Sequence, residues 1–295
     1  MNKLLLLLAL SSKVLFSMEG QSIDNQPGSS KQKETGESIR LWKLLDGADV
    51  PPLFFVSAAS FVNKSNDELE ELSEKHLIPQ ELKDSIVSIK NDLGKKLVKL
   101  LENEEILNQE DKQNITFLIN AGANLDIKDS SDNTPLLHAA RYGHNDILQL
   151  LIDKNANLNL QNANGETALL VVLTMGFPQT QKILKSLIEK GADINLQSNH
   201  SITPLIMAAA LGDKDLVEIL LEKGADINHQ TINGNTALME AINHHGRTDT
   251  KDTVKLLLSK GANATLKNTD SKTALDIARE RNYQEIVNLL ENAED

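Results

Sequence analysis

The sequence predicts an all-α solenoid of stacked helix–turn–helix units with short β-turn connections, preceded by a small helical region. Two series of motifs indicate this fold. Thr-Pro-Leu or Thr-Ala-Leu recurs at steps of 33, 36, 33 and 37 residues, beginning at Thr134, Thr167, Thr203, Thr236 and Thr273. A second series, of the type "KGADIN", keeps the same register. Such periods are typical of repeat architectures, in which neighbouring units bury each other's apolar faces.

Composition supports packed helices and excludes several kinds of partner. The 295 residues are 40% hydrophobic but only 3% aromatic, so the apolar residues are mainly Leu, Ile, Ala and Val. The net charge of −12 disfavours nucleic acid and anionic membrane surfaces, which require Lys and Arg. Cysteine is absent, which excludes disulfides, Cys-based metal sites and a thiol nucleophile.

The first residues combine a positive start with an apolar run, which is the pattern of a secretory signal peptide. Lys3 precedes the run Leu4 to Leu10, and small serines follow. We predict a signal peptide over residues 1–18 and a secreted or periplasmic protein. The alternative is an apolar N-terminus on a cytoplasmic protein. Later segments are shorter than the roughly 18 apolar residues of a spanning helix, so the mature chain is predicted to have no membrane span.

Between this start and the repeats, two regions are distinguished by their apolar pattern. Residues 19–37 lack apolar periodicity and are predicted to be a disordered linker. Residues 38–102 are predicted to form a small helical region, in which Ser65 and Glu68 have the spacing of a capping box. A stripe from Leu82 to Leu100 marks one face of a further helix, which Gly94 is expected to break.

Each repeat has the residues that a pair of helices requires. The repeat Thr opens the first helix, and Pro in the next position suits its first turn. A glycine such as Gly224 ends the second helix in a left-handed conformation. Paired alanines permit close helix approach, at Ala139–Ala140 and Ala208–Ala209. The motif leucines are expected to point into the stack, and these are Leu136, Leu169, Leu205, Leu238 and Leu275.

This pattern resembles the ankyrin repeat, whose period is 33 residues and whose signature is T-P-L-H-x-A. The resemblance rests on "TPLLHAARYGH", "TPLIMAAALGD" and "TALDIARERN", and it covers residues 103–295. Five repeats carry the T-[PA]-L motif. Before them, "NQEDKQNITFLINAGANLD" supplies the second half of a degenerate repeat. The resemblance implies a non-enzymatic scaffold for protein–protein interaction.

The sequence departs from the ankyrin pattern in two ways. The signature His is replaced in every repeat, by Leu137, Leu170, Ile206, Met239 and Asp276. A hydrogen bond between repeats is therefore expected to be lost. Packing is then expected to hold the stack, and neighbouring repeats should be less rigidly fixed. Repeats two and four also carry insertions, near "MGFPQTQ" and "NHHGRTDTKD". These either mark a binding face or are tolerated surface loops.

The resemblance also implies a concave face, made of first-helix residues, that binds another protein. We predict that this face contains His138, Arg141, Tyr142, Val171, Thr174, Met175, Met207, Ala210, Leu211, Glu240, Asn243 and His244. The middle of the set is apolar and its ends are polar, as in a binding patch. The alternative is that neighbouring side chains already bury these residues.

Residue spacing gives no indication of catalysis, of a metal site or of a cofactor. His244 and His245 are adjacent, so on a helix their side chains diverge by about 100°. His138 and His144 are interpreted as exposed polar residues. No nucleophile-elbow, phosphate-loop or dinucleotide-binding motif occurs. We therefore predict a protein that is not an enzyme, that needs no cofactor or metal, and whose partner is another protein.

A second functional hypothesis concerns the segment before the repeats. "LIPQELKDSIV", Leu77 to Val87, resembles the start of an F-box through Pro79, Glu81, Leu82 and Ile86. That resemblance implies a substrate-recruiting adaptor of a ubiquitin ligase. A proline followed by Glu and a Leu/Ile stripe is also typical of an ordinary helix start.

Overall fold

The computed structural model describes residues 64–75, 80–102, 107–175, 180–244 and 250–294. Within these ranges it contains thirteen helices and no strand, which confirms the all-α prediction. The predicted signal peptide and linker lie outside the described residues, as does the start of the helical region. The chain divides into two compact units, Met1–Ile127 and Lys128–Asp295.

The described part of the first unit contains three helices that pack in chain order. They are α1 (Asn66–Glu74), α2 (Gln80–Leu101) and α3 (Gln109–Asn120). Helix α2 packs against both α1 and α3. The capping box of α1 is confirmed, because Ser65 Oγ accepts from the Glu68 N–H at 3.1 Å and Glu68 Oε2 accepts from the Ser65 N–H at 2.7 Å. The core of the unit contains Leu69, Ile86, Ile89, Leu93, Leu97, Ile115 and Leu118.

The expected break at Gly94 is wrong, because α2 continues through this residue for two further turns. Gly94 instead allows the turn after α3 to approach the helix. A Cβ at Gly94 would lie 2.5 Å from the carbonyl oxygen of Asn124. The Asn124 N–H also donates to the carbonyl of Lys90 at 2.8 Å. The glycine is therefore explained by close packing rather than by a helix end.

The second unit is a linear series of five helix pairs. The first helices pack in order, α4 on α6, α6 on α8, α8 on α10 and α10 on α12. Among the second helices, α5 packs on α7, α9 on α11 and α11 on α13. The bounds are α4 (Pro135–Arg141), α5 (Asn145–Asp153), α6 (Ala168–Met175), α7 (Thr180–Glu189), α8 (Pro204–Leu211), α9 (Lys214–Glu222), α10 (Ala237–Asn243), α11 (Thr250–Ser259), α12 (Ala274–Glu280) and α13 (Gln284–Glu294).

The ends of these helices follow the residues that the sequence indicated. Thr203 caps α8, since its hydroxyl accepts from the Ile206 N–H, and Pro204 occupies the first helical position. The other repeat threonines make the same bond. Gly224 follows α9 with φ of +90°, a conformation that a residue with a Cβ adopts only with strain. All five motif leucines are buried.

The structure contradicts the expectation that packing alone must hold the repeats together. A series of asparagines, which we call the Asn ladder, joins consecutive repeats through Asn159, Asn195 and Asn228. Each side-chain oxygen accepts from a backbone N–H of the next repeat. The donors are Asp193 at 2.8 Å, Asp226 at 3.1 Å and Asn263 at 2.8 Å respectively.

A second line of bonds joins the turns that precede the first helices. We call their outermost residues the turn tips, and these are 131–132, 163–165, 199–201, 232–234 and 269–271. The backbone N–H groups of Ala163, Asn199, Ile232 and Thr269 each donate to a carbonyl on the preceding tip, at 2.8–3.2 Å. Repeats one to four are therefore joined both by the Asn ladder and by bonds between turn tips, and repeat five is joined to repeat four between the tips. Residues 176–179 and 245–249, which fall within the two insertion segments, lie outside the described part of the chain.

Candidate partner-binding face

The C-terminal ends of the five first helices form a row of accessible side chains. In every repeat, the residues seven and eight positions after the repeat Thr are exposed or half-buried. We call this row the first-helix face, and it consists of Arg141, Tyr142, Thr174, Met175, Ala210, Leu211, Asn243, His244, Glu280 and Arg281. Most of the predicted binding residues therefore lie where a partner could reach them.

Two predicted members of the face are buried, and for these the prediction of exposure is wrong. Val171 is 1% exposed and His138 is 5% exposed. Both lie four residues after the repeat Thr, in the first turn of the helix. At His138 the polar turn before the helix is in contact with the side chain, because Asp129 bonds to the ring. Met207 and Glu240 occupy the same position in their repeats and are half-buried.

The middle of the first-helix face presents apolar side chains. Met175, at the end of α6, is 44% exposed. On the adjacent helix α8, Ala210 and Leu211 are half-buried, as is Met207 beside the face. Thr174 is exposed, and its hydroxyl donates to the Val171 carbonyl at 2.9 Å. An accessible apolar centre is therefore present, with Met175 as its most exposed member.

Ion pairs and hydrogen bonds occupy the polar ends of the face. At one end, Arg141 lies 3.7 Å from the carboxylate of Glu166. At the other end, Arg281 donates to the side-chain oxygen of Asn243 at 3.1 Å. These charged groups are held by bonds between neighbouring repeats, so they present an ordered rim around the apolar centre.

Within the α10 repeat, one carboxylate bridges two parts of the fold. Glu240 accepts from the side-chain amide of Asn235 at 2.7 Å and lies 3.5 Å from the ring of His244. The bond to Asn235 joins the preceding turn to the first turn of α10. Glu240 therefore has a structural role in addition to its place beside the first-helix face.

Sequence reasoning missed three accessible residues. Glu280 and Arg281 continue the face into the fifth repeat, and counting seven and eight residues from Thr273 would have found them. Ile232 is 58% exposed at a turn tip. The signal for Ile232 was a large apolar residue within the otherwise polar "TINGN" segment.

The buried His138 belongs to a hydrogen-bonded turn rather than to an open polar surface. Its Nε2 lies 2.8 Å from Asp129 Oδ2. Burial alone would raise the pKa of Asp129. Backbone N–H groups of Asn133 and Ser131, together with His138, outweigh this effect and lower the pKa. The ionised carboxylate thus fixes the turn before α4, and this arrangement is structural.

In the part of the chain that the structure describes, no helix combines the length and the apolar character needed to cross a membrane.

The similarity to known proteins falls on these same repeats. A family model described as ankyrin repeats matches in three overlapping copies, over residues 105–198, 175–268 and 205–295. The chain is 43% identical over 53 residues to the ankyrin repeat and KH domain-containing protein mask of Drosophila melanogaster. It is 36% identical over 68 residues to ankyrin repeat domain-containing protein 37 of Bos taurus. These alignments cover 18% and 23% of this chain, but only 1% and 43% of the relatives' own lengths.

Solved structures match a larger share of the chain. A crystal structure of an ankyrin repeat domain from Acinetobacter baumannii AYE has 30% sequence identity and a TM-score of 0.58. The match covers 67% of this chain and 96% of that one. A second crystal structure of an ankyrin repeat protein has 32% identity and a TM-score of 0.57, with 66% and 95% of the two chains covered.

Proposed function

The chain belongs to the ankyrin repeat family, and from this premise we propose that it is a non-enzymatic scaffold that binds a protein partner through its first-helix face. The family supports protein–protein interaction as the general role. The particular face is supported by one observation above all, the exposure of Met175 beside half-buried apolar residues of α8.

The chemistry of this surface suits a protein ligand. An apolar centre surrounded by polar residues is the usual anatomy of a protein interface, and exposed apolar patches on soluble proteins commonly mark binding sites. Met175 is unbranched and polarizable, so it adapts its shape to a partner's surface. Arg141, Asn243 and Arg281 supply the polar rim. A partner that buries Met175 would gain apolar contact and would still reach ordered polar groups at the edge.

The test compares two substitutions at Met175. Met175→Ser removes the apolar contact, and Met175→Leu retains it. Because the side chain is exposed, the serine change is expected to alter the free energy of unfolding by less than about 0.5 kcal/mol. It is expected to weaken partner binding by about 2 kcal/mol, as loss of a central anchor does.

The partner can be found and the face tested in one experiment. Wild-type protein, Met175→Ser and Met175→Leu are immobilised in parallel and exposed to an extract of the native host, and retained proteins are identified by mass spectrometry. Lys185→Ser, on the exposed side of α7, is the control for a change elsewhere on the second unit. A protein retained by all except Met175→Ser supports the proposal. Equal retention by all four contradicts it.

We also propose that the protein is exported. The positive Lys3 and the apolar run Leu4 to Leu10 support a signal peptide. Intact mass of the protein from its native host should show loss of roughly the first 17–20 residues, within the usual signal length. Retention of Met1 in a cytoplasmic fraction would contradict export.

The ubiquitin-ligase alternative has no supporting observation. The matches described above are to ankyrin repeats, and Leu77 to Pro79 lie outside the described residues. Ile86, one of the F-box-like positions, is fully buried within the first unit. Ile86 is therefore not accessible to a binding partner. Interaction through the repeats is the function that we retain.

A further inference from the structure

The chain contains two Asn-Gly dipeptides, and both lie at turn tips of the second unit. They are Asn164–Gly165 and Asn233–Gly234. Asn-Gly is especially prone to spontaneous deamidation, because glycine has no side chain to hinder attack by its backbone nitrogen on the preceding amide carbon. The other three tips carry Ser131–Asp132, His200–Ser201 and Asp270–Ser271 in the same places. The reactive dipeptide is therefore confined to repeats two and four.

At these two tips the next repeat leaves no room for a side chain at the glycine position. Gly165 and Gly234 have φ of +73° and +74°. A Cβ at Gly165 would lie 2.7 Å from the backbone nitrogen of Asn199. A Cβ at Gly234 would lie 2.8 Å from the Cα of Asn268. Backbone atoms of the next repeat occupy this space. A larger residue in place of the glycine, which would slow deamidation, could therefore not fit unless that repeat moved.

The same tips are held by hydrogen bonds that oppose the reaction. The Gly165 N–H donates to the Asn162 carbonyl at 2.9 Å, and the Asn164 carbonyl accepts from the Asn199 N–H at 2.8 Å. For attack, the glycine nitrogen must leave its acceptor and approach the asparagine Cγ. The Asn164 carbonyl belongs to the same peptide group, so this movement also disturbs its bond to Asn199.

The second tip is held in the same way. The Gly234 N–H donates to the Thr231 carbonyl at 2.8 Å. The Asn233 carbonyl accepts twice from Thr269, from the N–H at 3.0 Å and from the hydroxyl at 3.1 Å. Attack at Asn233 therefore also moves a peptide group that is bonded to the following repeat.

We propose that Asn164 and Asn233 are latent deamidation sites, protected while neighbouring repeats are joined and reactive when the contact between tips opens. The glycine nitrogen forms a bond to the asparagine Cγ, and the side-chain nitrogen leaves as ammonia with the displaced proton. Water then opens the resulting succinimide ring at either carbonyl, which yields aspartate or isoaspartate. Water is consumed, ammonia is released, and no group is oxidised or reduced.

The products would act on the stack itself. Each adds a negative charge to a tip, and isoaspartate also adds a methylene group to the backbone path. This change occurs beside the carbonyl that accepts from the next repeat. Deamidation is irreversible under ordinary conditions, so a tip that has reacted stays modified after the repeats come together again.

The rates in folded and unfolded chains test the proposal. Full-length protein is incubated at mildly alkaline pH in native buffer and in concentrated urea, and peptide mass spectrometry follows conversion of amide to carboxylate. We expect both Asn-Gly peptides to react in urea and to react at least about tenfold more slowly in the native protein, since local opening limits access. Equal rates in the two conditions, or no reaction in urea, would overturn the proposal.

Two variants distinguish local protection from general stability, because each tip serves as the control for the other. Asn199→Ala removes the side-chain bond to the Ala163 carbonyl, which is 2.8 Å long. Thr269→Val removes only the hydroxyl bond to Asn233. In native buffer, the first variant should accelerate the reaction at Asn164 several-fold and leave Asn233 unchanged. The second variant should do the reverse.

Circular dichroism and denaturant titration would show whether either variant is generally destabilised. Acceleration of both sites to the same extent would mean that opening is global, and the assignment of protection to individual tips would then be wrong. Unchanged rates at both sites would also reject the proposed role of these bonds.

Discussion

At the scale of single residues, asparagine provides the repeat-to-repeat hydrogen bonding that the loss of the signature histidine put in doubt. Asn159, Asn195 and Asn228 each accept from the backbone of the following repeat. The sequence showed that these asparagines recur. It did not show their partners, because those are backbone groups brought near only when the repeats stack. Any non-proline residue can supply the backbone N–H that such an oxygen accepts from. The partner therefore has no characteristic residue type in the sequence.

The Asn ladder can be tested at Asn228. Asn228→Ala removes the acceptor for the Asn263 N–H, and it should lower the free energy of unfolding by about 1 kcal/mol, as loss of one hydrogen bond typically does. Asn228→Asp keeps an acceptor oxygen and is the matched control. Urea titrations of the three proteins would measure the difference. A loss as large for aspartate as for alanine would argue that the bond itself contributes little.

The lowered pKa of Asp129 predicts that the free energy of unfolding decreases at acid pH. Its pKa is lowered in the folded protein, so the ionised form stabilises the fold at pH values above the unfolded pKa of about 3.9. This contribution is lost as the pH falls through the lower, folded pKa. Asp129→Asn cannot ionise. Its thermal midpoint should therefore fall less than that of the wild type between neutral pH and about pH 3. Parallel acid-dependent decreases in the two proteins would contradict the prediction.

At the scale of the helix, Gly94 sets helix propensity against packing. An exposed Gly→Ala change in a helix gains about 1 kcal/mol. At Gly94 the added Cβ would lie 2.5 Å from the Asn124 carbonyl oxygen, so the turn after α3 must shift. Because backbone atoms form the obstacle, we expect packing to outweigh propensity.

Gly94→Ala should therefore destabilise the protein by about 1–3 kcal/mol, the usual cost of overpacking. Lys95→Ala, at the next and well-exposed position of α2, is the control, and it should change stability by less than about 0.5 kcal/mol. Denaturant midpoints would compare the two. Stabilisation by Gly94→Ala would show that the turn moves easily and that the glycine is not required there.

Helix positions and their caps were predictable from the sequence because local residues determine them. Thr203 and Pro204 start α8, and Gly224 follows α9, as expected. The burial of Val171 and His138 was not predictable in the same way. Periodicity places both residues on the accessible side of a first helix, but both are buried in the folded chain. For His138 the burial involves a contact with Asp129, which only the folded turn creates.

At the scale of the whole second unit, stability arises from contacts between neighbouring repeats. The inner first helices each have a neighbour on both sides, whereas α12 packs on α10 from one side. Burial reflects this difference, since Leu205 is 1% exposed and Leu275 is 8% exposed. In such a series, the energetic effect of a mutation depends on where in the stack it falls.

Two equivalent leucines make this dependence measurable. Leu205→Ala should lower the free energy of unfolding by about 2–4 kcal/mol, because it leaves a cavity between α8 and its neighbours. Leu275→Ala should cost less, because Leu275 is already 8% exposed and α12 packs on one first helix only in the described structure. The comparison uses the same substitution and the same motif position, so repeat order is the main variable. Equal losses in urea titration would contradict a linear stack.

The Asn ladder has a mechanical consequence. Each of its bonds joins only adjacent repeats, so a force applied along the chain meets one small set of bonds after another. Pulled from its C-terminus in a single-molecule instrument, the unit should yield in successive small steps rather than in one large rupture. Each step would release one repeat of about 33 residues, or about 110 Å of chain at full extension. Repeats joined in this way would therefore extend under load and shorten again as each one re-forms on its neighbour.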